Sequence, residues 1–390
     1  MKKIYYFIIG IILIIIAVVV YLYYTTGITI TITPVDAKIT VDGITIGAGQ
    51  KMIVKPGNHE IKITKDDYIT YDKQVSVNIG ANKTLNISLR LEPVPQKAVD
   101  SQAGFSSLTQ DQVSIYYLSN GNTMYAIDNI AAQKLTTQAI SPDFFSQVQN
   151  IIWAPNHEIA VVKEKDQTFL YDFSRYDLIH QELTPYENGI KDLVWSSDSQ
   201  NIMYYYAPAS GETTLVKASK TNTNQEIIYN FKDTKIRNPE IDWSPDAKSV
   251  LLVSQNKLYV LDLYTKKLTT LPIEKVVSAK FTPDNQILYL TNDSSYICDI
   301  AGANIQNLNI QTKINQIAFF DANTIIYSQT VNNQPQIYLY DRNTNTKTQL
   351  SYNEKYTINP INFIMTPDKK YLYFESNNYI YRVAVDTTLY

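Results

Sequence analysis

Ile241-Asp242-Trp243-Ser244-Pro245-Asp246, residues 241–246, decides how most of this chain is read. An apolar residue and an aromatic run into a Ser-Pro-Asp turn, and a strand-like stretch, Lys257–Leu263, follows. Proline pre-sets the turn backbone, and a nearby aspartate can hydrogen-bond the turn amides. Related segments stand at Trp153 (IIWAPN), Trp195 (LVWSSD), Phe281 (AKFTPD), Phe319 (IAFFDAN) and Met365 (FIMTPD). Counting Trp243, these anchors are 42, 48, 38, 38 and 46 residues apart. A second strand follows most anchors, as at 286–290 or 324–328, then a third, as at 336–342, and in most copies a fourth. Four strands per unit of about 40–45 residues is the pattern of a propeller blade. A degenerate first unit, with middle strands at 113–119 and 124–128, completes the set, and residues near 96–106 could supply the last unit's outer strand. The expected fold is all-β, with a seven-bladed β-propeller over 108–390 and six blades as the alternative.

The repeated motif resembles TolB-type and WD-repeat-like propellers, whose blades carry Trp-Ser-Pro-Asp before a strand and an Asp-Leu turn. It departs from them in having no Gly after the Asp, and Ala154, Asn156, Ser197 and Phe320-Asp321 replace parts of it. The resemblance implies binding through a propeller face and specifies no activity.

At the other end, Ile4–Tyr24 holds no charge. As a helix rising about 1.5 Å per residue it covers a hydrocarbon core of roughly 30 Å. Tyr5, Tyr6, Tyr21, Tyr23 and Tyr24 sit at its ends, as interfacial aromatics do. Lys2 and Lys3 precede it, and no further basic residue comes before Lys38. The run is longer than a cleavable signal core and lacks a small-x-small site. Residues 1–27 therefore read as a cytoplasmic tip and an uncleaved transmembrane signal anchor. The expected localisation is a single-pass membrane protein, its N-terminus cytoplasmic and its C-terminal domains extracytoplasmic, with the membrane a partner through 4–24.

Between Ile28 and Leu91 apolar residues alternate with polar ones, the period of half-buried antiparallel strands. Asp42-Gly43 and Pro56-Gly57 divide the runs into hairpins. Pro34, Ala37, Asp42, Gly43, Gly47, Gly57, His59 and Tyr68 fall where a PEGA domain carries its characteristic residues, so 28–92 resembles that family. Asp67 replaces a usual Gly, and the proline expected after Gly47 is missing. The resemblance implies a β-sandwich-like extracytoplasmic module without agreed catalytic residues. Pro93 and Pro95 open a polar stretch, so 93–107 reads as a stiff linker.

A net charge of -3 argues against nucleic acid, whose phosphates demand a basic face. Cys298 is alone, so no intrachain disulfide forms. His59, His157 and His180 lack metal-ligand spacing, and Asp341-x-Asn343-x-Asn345 lacks the Gly and Glu of a calcium loop. No cofactor or nucleophile motif is present, and Asp198, Asp246, Asp284 and Asp368 read as turn residues. The 31 tyrosines read as sheet packing.

Three residues before the anchors stand Asn150, Asp192, Glu240, Ser278, Gln316 and Asn362, all polar. On innermost strands they would ring one channel mouth, beside loops rich in amides and hydroxyls. The expected function is a non-catalytic binding or scaffold protein of the cell envelope that recognises a protein or glycan. The alternative is an envelope glycan lyase or hydrolase using Asp192 and Glu240.

Overall fold

The computed structural model describes the chain except residues 1, 67, 91–93, 133, 141–144, 166, 174–183, 186–187, 210, 332, 352–357 and 386–390, and gives only backbone for 2–7, 23–25, 184–185 and 351. Pro93, Asp67 and His180 thus lie outside the described residues. Two compact units form, Met1–Glu92 and Pro93–Tyr390.

The first unit begins with a helix, Lys2–Thr25. Its described side chains cover 8–22. Among the described residues no helix is long and apolar enough to cross a membrane. This overturns the single-pass anchor at 4–24, and with it the orientation and localisation drawn from it. Thr26 ends the helix: its hydroxyl donates to Leu22 O at 2.7 Å and accepts the Gly80 amide at 2.7 Å.

Two sheets follow, and their inner faces make one core. In the first, strand Gly27–Thr33 lies between Lys51–Ile53 and Asn82–Ser88. In the second, the order is Ile44–Ile46, Lys38–Val41, Gly57–Thr64 and Tyr71–Val77. Ile28, Ile30 and Ile32 meet Ile39, Val41, Ile61 and Ile63 there. Asp42 and Gly43 both have positive φ, 49° and 79°, and close the two-residue hairpin between Lys38–Val41 and Ile44–Ile46. Glycine carries that backbone freely, and aspartate tolerates it. One pairing departs from the antiparallel expectation. Gly27–Thr33 runs parallel to Asn82–Ser88, with everything between as the connection a parallel pair requires.

The second unit holds seven four-stranded sheets among the described residues, each antiparallel. Their first strands are Ala103–Leu108, Asn150–Trp153, Ile190–Trp195, Glu240–Trp243, Ser278–Phe281, Ile317–Phe319 and Ile361–Met365. The stretch 93–107, read as a linker, contributes two strands. Ala103–Leu108 edges the first sheet, and Gln96–Lys97 pairs with Tyr379–Ala384 as the outer strand of the seventh. Among the described residues the sheets share no ladder with one another, and no closed propeller, of seven blades or of six, is seen. A sequence repeat dictates the hydrogen-bond ladder inside each unit. It carries no information that closes the units on one another.

The tyrosines go into sheet packing. Tyr289 and Tyr296, Tyr327 and Tyr338, and Phe374 and Tyr381 face each other on the second and third strands of the last three sheets. Their rings stack within 17° of parallel. The anchors Trp195, Trp243, Phe281 and Met365 are buried, whereas Trp153 and Phe319 are half-buried. After the anchors the turns repeat one bond: Ser196, Ser244, Thr282 and Thr366 donate to Asp198, Asp246, Asp284 and Asp368 at 2.5–2.7 Å. Thr109 and Asp111 do the same in the first sheet at 2.6 Å.

Candidate functional site

Half-buried aromatics need a reason to stay half-buried, and for Trp153 and Phe319 the reason is a cleft of about 780 Å³. First strands build its walls. Phe105, Ser106 and Ser107 come from the first sheet, Asn150 and Trp153 from the second, Phe319 from the sixth, and Asn362 and Phe363 from the seventh. His157 and Phe320 reach in from turns. Phe105, Trp153, Phe319, Phe320 and Phe363 are all partly accessible, so ring faces are offered to whatever enters.

Trp153 offers its face and not its donor, because its indole N–H is spent on Phe105 O at 3.0 Å. The carboxamides of Asn150 and Asn362 have no hydrogen-bond partner among the described residues, and both are exposed. No carboxylate, lysine or arginine is among the described lining residues. The single titratable side chain is His157, whose pKa is held below its ordinary value by burial. Near pH 7 the ring is therefore neutral, and so is the cleft.

The six polar positions expected at a common mouth divide into three settings. Asn150 and Asn362 line the cleft. Asn150 also borders a smaller one of about 300 Å³ with Asp192 and Lys163. The other positions tie neighbouring sheets. Asp192 accepts the Ile241 amide at 2.8 Å with one oxygen and its own Leu193 amide at 3.0 Å with the other. Glu240 accepts the Ser278 hydroxyl at 2.7 Å, and Gln316 donates to Asn359 at 2.6 Å. Burial pushes Asp192's carboxyl above its usual range, against the two amides; the charge of Glu240 adds to the rise and Lys163 opposes it. Both oxygens of Asp192 and one oxygen of Glu240 are thereby engaged as acceptors.

Two charged residues escaped the sequence reading. Asp242 accepts the Phe281 amide at 2.6 Å, and Lys280 donates to Ile317 O at 2.7 Å. Burial pushes Asp242 up to about 6 and pulls Lys280 down to about 8, while each charge partly offsets the other's shift. Both are only partly exposed, with protein on most sides. They occupy the slot just before the anchor, which is Ile152, Val194, Ala318 and Ile364 in other sheets. Opposite charges in consecutive copies of an otherwise apolar slot were the available signal. With Asp192 they carry a series of side-chain-to-backbone bonds from the third sheet to the sixth.

Asp341 is a turn residue. It accepts the amides of Asn343 and Thr344 at 2.8 and 3.1 Å, and Asn345 accepts the Tyr340 hydroxyl. Among the described residues no group of three or more His, Cys, Asp or Glu is placed to hold a metal.

Residues 25–95 match the PEGA domain family. No model of a TolB-type or WD-repeat family matches the rest. No curated protein matches the chain. The first unit is thus similar to PEGA domains, and the second is known by its geometry alone.

Proposed function

We propose that this chain is a binding protein of the cell envelope whose second unit takes a neutral glycan into the 780 Å³ cleft. The single observation behind this reading is the character of the cleft wall. It combines accessible aromatic faces and unengaged carboxamides without a charged side chain among the described residues. Sugars present C–H faces that pack on aromatic rings and hydroxyls that pair with amides. An anionic or cationic ligand would enter such a wall with its charge desolvated and unpaired, which is costly. The likeness of residues 25–95 to PEGA domains supports the envelope setting.

Calorimetric titration of the full chain with maltohexaose, cellohexaose and chitohexaose tests the proposal. Binding of at least one is expected, weakened roughly tenfold or more by Trp153→Ala and by Phe363→Ala, each of which removes a ring face. Heat with none of the three, or binding indifferent to both substitutions, sinks it.

A further inference from the structure

His157 has an unusual place for a histidine. It sits at φ +59° in the turn after strand Asn150–Trp153, its amide closing that turn on Ala154 O at 2.8 Å. The same left-handed slot holds Ser199, Ala247, Asn285 and Lys369 in other sheets. Left-handed backbone costs a side chain something, and asparagine or glycine carries it most easily. A ring held there, half-exposed toward the cleft, invites a reason beyond turn geometry.

The ring reaches the first sheet, where the Ser107 hydroxyl lies 2.9 Å from Nδ1. Ser107 has one proton to give and two acceptors in range, the ring nitrogen at 2.9 Å and Leu108 O at 3.4 Å. Hydrogen-bond strength falls steeply beyond about 3.2 Å, so the proton goes to the ring. A neutral imidazole that accepts at Nδ1 carries its hydrogen on Nε2. Among the described residues Nε2 has no partner.

We propose that Ser107 holds His157 in the Nε2–H form, making that N–H the fixed donor by which the cleft recognises an acceptor oxygen of its ligand. The inference rests on the neutral-glycan reading of this cleft and adds a polar contact to it. Ring oxygens and hydroxyls of a sugar supply the acceptor. Protonating the ring removes the bond from Ser107 and places a charge in a wall that has none among the described lining residues. Charged groups touch three residues of that wall. Glu375 accepts the Ser106 amide and hydroxyl at 2.6 Å, Lys280 lies 5.8 Å over the Phe319 ring, and Lys369 lies 4.7 Å over the Phe320 ring.

Two measurements on the full chain test this. Long-range 1H–15N correlation spectra near pH 7.5 should show His157 with Nδ1 unprotonated; a Nδ1–H ring overturns the proposal. Among variants, His157→Gln, whose amide approximates Nε2–H, should bind whichever hexasaccharide the wild type binds within about threefold. His157→Asn, which mimics Nδ1, should bind roughly tenfold more weakly. Wild-type binding should fall as the pH is lowered from 7 to 5, and that of His157→Gln should not. Equal binding by Gln and Asn variants, or the same pH profile for wild type and the Gln variant, overturns the donor role and leaves the glycan reading standing. No binding by the wild type overturns both.

Discussion

The Asp242 carboxylate accepts the amide of Phe281 at 2.6 Å, joining the fourth sheet of the second unit to the fifth. That bond sits beside Lys280, a second charge brought out of water, and burial opposes the ionised form of each. Removing one partner of such a pair leaves a desolvated charge and an unsatisfied amide. Asp242→Ala should therefore cost about 3 kcal/mol or more, and Asp242→Ala with Lys280→Met should recover part of it. All three tryptophans, Trp153, Trp195 and Trp243, belong to the second unit, so their emission in a urea titration reports this unit alone. A double variant no more stable than the single one would show that the charges are independent.

A comparison of two buried tryptophans isolates one hydrogen bond. Trp195 donates its indole N–H to Ile152 O at 2.9 Å, whereas that of Trp243 has no partner among the described residues. Both are 7% exposed, so phenylalanine removes similar apolar contact from each. Trp195→Phe should be less stable than Trp243→Phe by about 1 kcal/mol, the worth of the lost bond. Equal midpoints and slopes in denaturant would contradict this.

In the first unit, His59 bonds through both nitrogens, Nδ1 to Asp42 at 2.6 Å and Nε2 to Lys55 O at 2.7 Å. Since a carbonyl can only accept, Nε2 carries a hydrogen, and the Asp42 carboxylate favours a second one on Nδ1. Burial alone would lower the pKa of His59, but the bonds to Asp42 and Lys55 O raise it above 6.5. The fold therefore prefers the protonated ring. Its contribution is complete below about pH 6.5 and is lost as pH rises through the folded value. His59→Gln should flatten the stability of this unit across that window, followed by hydrogen exchange of the Gly57–Thr64 amides. An unchanged pH profile would remove His59 as its source.

The repeated turn aspartates predict acid sensitivity without any metal. Hydrogen bonds from Thr109 and from Ser196 hold the carboxyls of Asp111 and Asp198 below their usual range. At Asp246 and Asp368 burial pushes upward, but the bonds from Ser244 and Thr366 and from turn amides prevail. Depressed carboxylates stabilise the fold above about pH 4 and lose that contribution as pH falls through their folded values. Each Asp→Ala change should cost about 1 kcal/mol, and chelators should leave the midpoint where it was. A midpoint that drops with EDTA would contradict this and point to a bound metal.

Local chemistry was legible in the sequence, and arrangement was not. The Asp42-Gly43 hairpin, the Thr and Ser turns ahead of Asp, and the middle strands at Ile115–Ser119 and Thr123–Asp128 could be read because each is decided within a few residues. An apolar run such as Ile4–Tyr24 gives a helix, but hydropathy alone does not establish a crossing. Repetition specified the four-stranded unit and left closure open. At the cleft, Asn150 and Asn362 stood out as members of the polar position three residues before the anchors. His157 did not, because its partner Ser107 is 50 residues away on another sheet. Asp242 and Lys280 were hidden by attention to the position two residues earlier.

The short strand Gln96–Lys97 finds its partner at Tyr381 and Arg382, nearly the whole length of the second unit later. During synthesis at about 5–20 residues per second, it leaves the ribosome on the order of tens of seconds before that partner exists. Throughout that interval the six earlier sheets can fold while this strand waits with its backbone groups unmatched. Completion of the seventh sheet is then the last step of the unit's assembly, set by translation time and not by the speed of any local turn.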